Sequence, residues 1–524
     1  MINKNNIVSN VCFGWSVLFV IPILIITAAS LFKSEEFELY RDIEHLLYED
    51  DHPLLLLLLL SLVIGIIMFQ IWSKQVGKKT FMNRPVSKAD RYIVMAVAGG
   101  LSLFFLLLLR SKPYMDCVEV VEVARQFSRN DYSALSTPEH NSYLYIYSFQ
   151  IGMVGVLELL FRLFGEGNYF SFQLLNVVGA AFMAGSIHEL SKLVFDDDLI
   201  VHLTDLFICF CLPLYINVTF VYGDVIGWSL AAGALLYTLR WVKNRNGKNM
   251  VFAAVLIAAG VLLKSNDYIF LIAIVIIVVL RSIETKQWKS IVYAALCVVL
   301  TLALSAAVKY GYKTRAGISD FPEGAPASCW IAMSLIEDEN FEKGWFNGYN
   351  VGTFVENNYD PAKTDQIASA LVRERVVKFA RHPKYALEFF MTKFVSAWND
   401  PQFNSQIKIE WSTRHVENLS PLAVSIIEGR GRRLLFVLMN GMHFLVFFGA
   451  LSGLLSALKK KGAVMTAYLI LPTLGGMLFH LMWETQARYM IAYYMLLFPL
   501  SAYGLVQTAT FILTILMKNK KSPI

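Results

Sequence analysis

Charge is scarce in this chain. Asp, Glu, Lys and Arg make up 16% of its 524 residues, against roughly 25% in an ordinary soluble domain. Length alone would suggest roughly three or four domains. So little polar surface cannot cover several water-soluble globules. Cysteine is scarce too, six in all and without paired metal-ligand spacing, which excludes a disulfide scaffold. Walker A, GxGxxG and GxSxG signatures are missing, which excludes an ATP-driven pump, a nucleotide-dependent enzyme and an α/β-hydrolase. HExxH is missing as well. His140, His202, His382, His415, His443 and His480 are scattered, so no His-built metal site and no cofactor is expected. There is no internal repeat and no low-complexity tract beyond Leu54–Leu60. What is present in quantity is apolar: 56% of residues, with a mean hydropathy of +0.52. Disorder, collagen and coiled coil fall away, leaving an all-α polytopic membrane protein.

Twelve apolar runs are candidate spans: Val11–Leu31, Pro53–Trp72, Tyr92–Leu109, Tyr169–Leu193, Leu199–Val221, Val225–Val242, Met250–Leu263, Tyr268–Leu280, Ile291–Val308, Leu434–Leu458, Ala463–Leu481 and Tyr489–Phe511. Val11–Leu31 is longer than a signal-peptide core and has no cleavage site after it, so it reads as a retained span. Met250–Leu263 and Tyr268–Leu280 are short against the about 20 residues a span needs. A thirteenth run, Tyr147–Gly165, carries Gln150, Glu158 and Arg162.

Charge bias orients the chain. The loop Lys74–Arg91 holds Lys74, Lys78, Lys79, Arg84, Lys88 and Arg91 and is expected on the cytoplasmic side. The acidic loop Phe32–His52 is expected outside. The basic stretches Arg240–Lys248, Arg281–Lys289, Lys459–Lys461 and Lys518–Lys521 all fall inside only if Tyr147–Gly165 does not span. That run is therefore expected as a helix at the outer interface, with Glu158 and Arg162 paired at i,i+4. Twelve spans with both termini cytoplasmic follow. The net charge of +6 belongs to these anchoring loops, so no nucleic-acid partner is implied.

Four parts follow along the chain: 1–91, two spans and a basic loop; 92–310, a membrane core with a first outer loop at 110–168; 311–432, an extracytoplasmic loop domain; and 433–524, the C-terminal spans. In the loop domain, helices are expected over Thr364–Arg381, with Ile367, Leu371 and Phe379 as its apolar stripe, and over Pro383–Ala397. Cys117 and Cys329 both fall outside and are available to pair.

Several polar residues sit where apolar runs end. Asp116 follows the third span and the Pro113 turn, near the outer boundary. A carboxylate there suits a general base on an acceptor hydroxyl, and equally a loop acid or helix cap. Asp224 lies in the tight outer turn Phe220-Val221-Tyr222-Gly223-Asp224, as a ligand contact or a plain turn residue. Lys264 interrupts two runs that reach only about 20 Å, so it lies at depth, either facing an anion in a wet cavity or snorkelling upward. Arg488 opens the last span, as a fork donor to phosphate or as the i+4 partner of Glu484.

The order of these elements resembles a family. A span is followed by a loop with an early Asp, then an interfacial helix ending in Phe164-Gly165. A span with mid-helix Pro213 comes next, then an outer turn with a second Asp and a broken hairpin carrying Leu263-Lys264. This is similar to the membrane-embedded GT-C glycosyltransferases of the protein O-mannosyltransferase and lipid A aminoarabinose transferase type. Lys112-Pro113-Tyr114-Met115-Asp116, Asn130-Asp131-Tyr132, Tyr143–Gly152 and Trp483-Glu484 with Arg488-Tyr489 resemble its Gram-positive polysaccharide branch. The resemblance covers roughly Tyr92 to Tyr503. It implies a GT-C-like helical bundle in a bacterial plasma membrane and a polyprenyl-phosphate-linked sugar donor. It also implies inverting transfer at the outer face to a glycan, lipid or protein acceptor. Asp116 matches the family's catalytic acid and Asp224 its second loop acid. Many members have Asp-Glu at the first position, whereas here Cys117 follows Asp116, which weakens a second carboxylate or a metal.

The residues expected to carry the chemistry are Asp116 as base and Lys264 and Arg488 on the donor phosphate. Asp224, Tyr222, Glu484 and Tyr489 are expected to contact substrate. Two other classes stay open: a lipid-linked sugar flippase or polysaccharide exporter, and a non-enzymatic envelope scaffold.

Overall fold

Apolar runs in lipid must satisfy their own backbone groups, so they fold as helices. The computed structural model describes residues 4–40, 43–80, 82–136, 143–338, 341–459 and 463–519. Asp42, His140, Lys460, Lys461, Lys520 and Lys521 lie outside these. Among the described residues ten helices are long and apolar enough to cross a membrane: Ile7–Phe32, Pro53–Gln75, Lys88–Leu109, Phe170–Phe195, Asp224–Asn244, Ser265–Thr285, Trp288–Ala316, Arg430–Leu458, Val464–Met482 and Phe498–Lys518. The chain is an all-α polytopic membrane protein, with one small two-stranded hairpin among the described residues.

The remaining two expected spans differ from the sequence reading. Leu199–Val221 is broken into Asp198–Cys209 and Leu212–Asn217. Pro213 stands in the first turn of the second piece and has no N–H to continue the first. Met250–Leu263 is the 17-residue helix Gly247–Leu263, still short. The last span starts later than Tyr489. Ala487–Met490 is a 3₁₀ turn, Ile491–Leu496 a short helix, and the long helix begins at Phe498, because Pro499 cannot donate back into the preceding turn. Ile291–Val308 extends to Ala316, where Gly317 at φ 66° closes the helix. The thirteenth run forms the expected helix and ion pair. Its helix, Ile151–Phe164, has 14 residues, about 21 Å, and Arg162 Nε donates to Glu158 Oε1 at 2.8 Å.

Three of the basic loops, 74–91, 240–248 and 281–289, lie at one end of the bundle. Val86 N–H donates to Asp198 Oδ1 at 2.8 Å, Arg240 reaches Glu189 at 2.5 Å, and Arg281 donates to the Val242 carbonyl at 3.2 Å. At the other end the acidic loop forms an antiparallel hairpin, Lys33–Tyr40 against Ile43–Asp50. Phe37 on that hairpin packs on Trp345 at 4.3 Å between ring centres, and Glu36 accepts from Arg432 at 2.8 Å.

The segment 311–432 is not held off the membrane portion. Phe394, Trp398, Phe403, Ile409 and Ile426 share one core with residues of the spans. Its helices Pro361–Arg381 and Pro383–Trp398 match expectation, but the buried stripe of the first is rotated. Thr364, Ala368, Arg375 and Phe379 are buried and Ile367 is exposed. Arg375 is inside because its Nε donates to the Leu335 carbonyl at 2.6 Å. Cys117 and Cys329 are both free and buried, so the pairing left open by the sequence is not made.

Helices Arg430–Leu458 and Phe498–Asn519 touch through glycine. A Cβ on Gly504 would lie 1.9 Å from the Gly449 carbonyl oxygen. Small residues permit such backbone contact between membrane helices. Gly504→Ala is expected to force these helices apart and to cost about 1–3 kcal/mol, the usual range for overpacking. A clear fall in the thermal unfolding temperature of the purified protein in detergent checks this, and an unchanged temperature refutes it.

Candidate active site

Close helix approach also builds the site. Gly223 and Gly227 stand four apart at the start of Asp224–Asn244. A Cβ on Gly223 would lie 2.0 Å from the Leu263 carbonyl oxygen, and one on Gly227 would lie 2.8 Å from Lys264 Cβ. Their absence lets Asp224, the first residue of its helix, meet Lys264, which ends Gly247–Leu263. Lys264 Nζ lies 2.6 Å from Asp224 Oδ1. Arg488, from the 3₁₀ turn Ala487–Met490, places Nη1 3.6 Å from Asp224 Oδ2. Asp224 is 1% exposed, Lys264 7% and Arg488 9%. One buried carboxylate is thus shared by two buried cations.

Aromatic rings surround the cations. Lys264 Nζ lies 5.0 Å from the centre of the Tyr222 ring and 4.7 Å from that of Tyr489. The Tyr489 hydroxyl donates to Glu484 Oε1 at 3.1 Å and accepts from Arg488 Nη2 at 3.3 Å. The Tyr222 hydroxyl is 3.3 Å from that of Tyr143 and accepts from Gln150 Nε2. Ring faces attract cations without neutralising them, so both keep charge to offer an anion.

These groups open into a cavity of about 460 Å³. Asp116, Tyr222, Lys264, Glu484, Arg488 and Tyr489 are all on its wall, with Tyr147, Phe149, Trp330 and Trp483. Asp224 is not on the wall but behind the two cations, which it orients. Asp116 is the first residue of the helix Asp116–Ser128 and follows Met115 at φ 46°. Its loop is clamped from far along the chain. Lys112 N–H donates to the Ser412 carbonyl at 2.9 Å, Lys112 Nζ to the His415 carbonyl at 2.6 Å, and Tyr114 stacks on Trp411 at 6.1 Å. Burial raises the Asp116 carboxyl above its ordinary pKa, with Arg488 and Lys264 pulling the other way. Burial likewise raises Glu484, against Arg488 and the Tyr489 hydroxyl. The rival carboxylates are elsewhere. Glu119 is exposed, and Glu122 is 2.6 Å from Arg125; neither lines the cavity.

The structure gives Lys264 and Arg488 one partner in common. Lys264 does not snorkel, because it is buried against Asp224. Arg488 turns to Asp224, and Glu484 takes the Tyr489 hydroxyl. Sequence reasoning missed Asn404, Lys408, Tyr147 and Trp330, all on the wall. Lys408 is 6% exposed, donates to Asn217 Oδ1 at 2.6 Å, and lies 4.1 Å from the Phe220 ring centre. Its one sequence signal is a lysine set between Ile407 and Ile409. Among the described residues no group of three His, Cys, Asp or Glu could hold a metal ion.

Residues 154–308 match the family model described as Dolichyl-phosphate-mannose-protein mannosyltransferase. The match supports a membrane glycosyltransferase of the GT-C type. The matched stretch contains Tyr222, Asp224 and Lys264 and ends before Lys408, Glu484 and Arg488. No curated protein matches the chain.

Removing one partner of a buried ion pair leaves the other uncompensated, at roughly 3–5 kcal/mol. Asp224→Asn is therefore expected to lower the thermal unfolding temperature sharply. Adding Lys264→Met to it is expected to restore part of the loss, since one stranded cation then goes. A double variant no more stable than Asp224→Asn would show that the pair does not carry the cost.

Proposed function

We propose that this chain transfers a sugar from a polyprenyl-phosphate-linked donor to an acceptor hydroxyl at the extracytoplasmic face of a bacterial plasma membrane. The observation that carries this reading is the pair of buried cations, Lys264 and Arg488, sharing Asp224 on the wall of a cavity that also holds Asp116. The cations suit a lipid-linked phosphate. Ile269, Ile272 and Phe479 line the same cavity, and Ile272 is 58% exposed, which offers the isoprenoid tail a way to lie along the helix surface. Trp330 and Trp483 stack at 6.0 Å and 7° and give a flat apolar wall for a sugar face.

The chemistry follows from positions. Asp116 accepts the proton of the acceptor hydroxyl as its oxygen attacks the anomeric carbon. The phosphate departs from the opposite face, which inverts the configuration. Arg488 and Lys264 stabilise the charge that collects on the departing oxygen. No nucleotide takes part. Tyr222, Tyr489 and Glu484 border the sugar, and Asp224 acts through the cations. The acceptor is a surface glycan, lipid or protein.

Transfer of radiolabelled sugar from a panel of polyprenyl-phosphate donors by the purified protein tests the reading; no transfer from any donor would reject it. Asp116→Asn is expected to lower turnover by about 10²–10⁴-fold, the usual worth of general base catalysis. Donor binding is expected to be unchanged, whereas Lys264→Met is expected to weaken it. Glu119→Gln and Glu122→Gln serve as controls; a collapse in either with Asp116→Asn near normal would assign the base elsewhere. Because Asp116 works ionised and its pKa is raised, kcat/KM is expected to fall as pH drops through that raised value, above the ordinary carboxylate range. An acid limb at the ordinary value would contradict the assignment.

Orientation has its own check. Cysteines placed at exposed Glu417 and Asn246 are expected to label from outside and inside intact cells, respectively. Outer labelling at Asn246 would reverse the topology.

A further inference from the structure

Glycosyl transfer from a lipid phosphate changes the charge of the phosphate. The acceptor oxygen bonds to the anomeric carbon and its proton passes to Asp116. The bond from that carbon to the phosphate oxygen breaks, and the electron pair stays on the phosphate. A diester with one negative charge becomes a monoester with two. Lys264 and Arg488 share one carboxylate, Asp224, at 2.6 and 3.6 Å. That set carries a single surplus positive charge, which suits the diester. The second charge needs another partner.

The short helix Ser405–Thr413 presents its N-terminus to the cavity. Its N-cap is Asn404, at φ 57°, and Phe403 before it is also left-handed, at φ 48°. Such backbone is strained for residues other than glycine. Asp400 holds it by accepting from Gln402 N–H at 2.8 Å and Asn404 N–H at 2.6 Å. Asn404 Oδ1 accepts from Arg488 N–H at 3.1 Å, which ties the helix start to the phosphate site. Asn404 is 4% exposed, lines the cavity, and its Nδ2 has no partner among the described residues. A buried amide donor without an acceptor is costly and marks a place where a ligand oxygen completes the site.

Lys408 lies one turn further along the same face. Its ammonium touches no carboxylate among the described residues and donates to the neutral Asn217 amide at 2.6 Å. Lys408 and Arg488 both lie over the Phe220 ring, at 4.1 and 5.0 Å, and both line the one cavity. Burial, with Arg488 adding to it, pushes Lys408 well below its ordinary pKa.

We propose that Lys408 and Asn404 form a clamp for the second negative charge of the departing phosphate, added to the Lys264–Arg488 pair, which holds donor and departing phosphate alike. This rests on the lipid-phosphate reading above. The clamp favours the state in which the glycosidic bond has broken, so it acts on kcat more than on KM.

Binding of two lipids to the full-length protein tests it without turnover: polyprenyl monophosphate and its methyl phosphodiester. At about pH 8 the monoester is a dianion, its second pKa being about 6, while the diester carries one charge. A hydrogen bond to a charged group is worth roughly a 10–100-fold change in affinity. Lys408→Met and Asn404→Ala are each expected to lose about that factor for the monoester and to bind the diester as wild type does. Lys264→Met is expected to weaken both, and Lys408→Arg to restore the monoester preference in a protein of normal thermal stability. Equal losses on both lipids, or none on either, in folded Lys408→Met and Asn404→Ala would overturn the clamp. Wild-type protein that binds neither lipid would instead overturn the lipid-phosphate reading, and the clamp with it.

Discussion

The Asp224 carboxylate is the constraint on which the rest depends. Taking one anion and two cations out of water costs several kcal/mol for each ion, and the cost is met only when all three meet in good geometry. Asp224, Lys264 and Arg488 come from three separate segments, so those segments are held in register by charge. Glycine makes the meeting possible. Gly223 and Gly227 remove the side chains that would hold Lys264 away. The same cluster leaves its surplus positive charge on the cavity wall, so one arrangement both locks the fold and sets the charge of the cavity.

Asp116 is positioned differently. Its carboxylate bonds to neither cation, and its loop is clamped by backbone carbonyls and a ring from the segment around Trp411 to Asn418. The Asp116 carboxylate and the Lys264–Arg488 cations are thus set by different parts of the protein, which meet at the cavity. The 3₁₀ turn at Ala487–Met490 joins them, because Arg488 contacts Asp224 through its side chain and Asn404 through its backbone.

Much of this was legible in the sequence, because polar residues at the ends of apolar runs have few bland explanations. Asp116, Lys264, Glu484 and Arg488 stand out by position, and all line the cavity; Asp224, also marked, sits behind. Composition set the all-helical membrane fold, and the charged Tyr147–Gly165 run forms a 14-residue helix, shorter than any of the ten candidate spans. What could not be read depends on contacts between distant residues. Lys408 sits in Ile407-Lys408-Ile409, whose alternation says nothing of a nine-residue helix inserted into a bundle. Asn404 is meaningful only because Asp400 bends the backbone before it. The late start of the last span needed Pro499 weighed against a continuous apolar run. The Ile367 stripe failed because Arg375, a residue expected outside, found the Leu335 carbonyl and rotated the helix.

The spacing of the ion cluster along the chain has a consequence for biogenesis. Asp224 and Lys264 lie on neighbouring helices and emerge from the ribosome close together, so each can shield the other as soon as both helices are inserted. Arg488 arrives only after a further long segment and four more membrane helices have been made. Until then the partly synthesised protein holds a neutral pair with no surplus charge. The cluster thus gains its surplus positive charge near the end of translation, when nearly all of the other helices already stand in the bilayer.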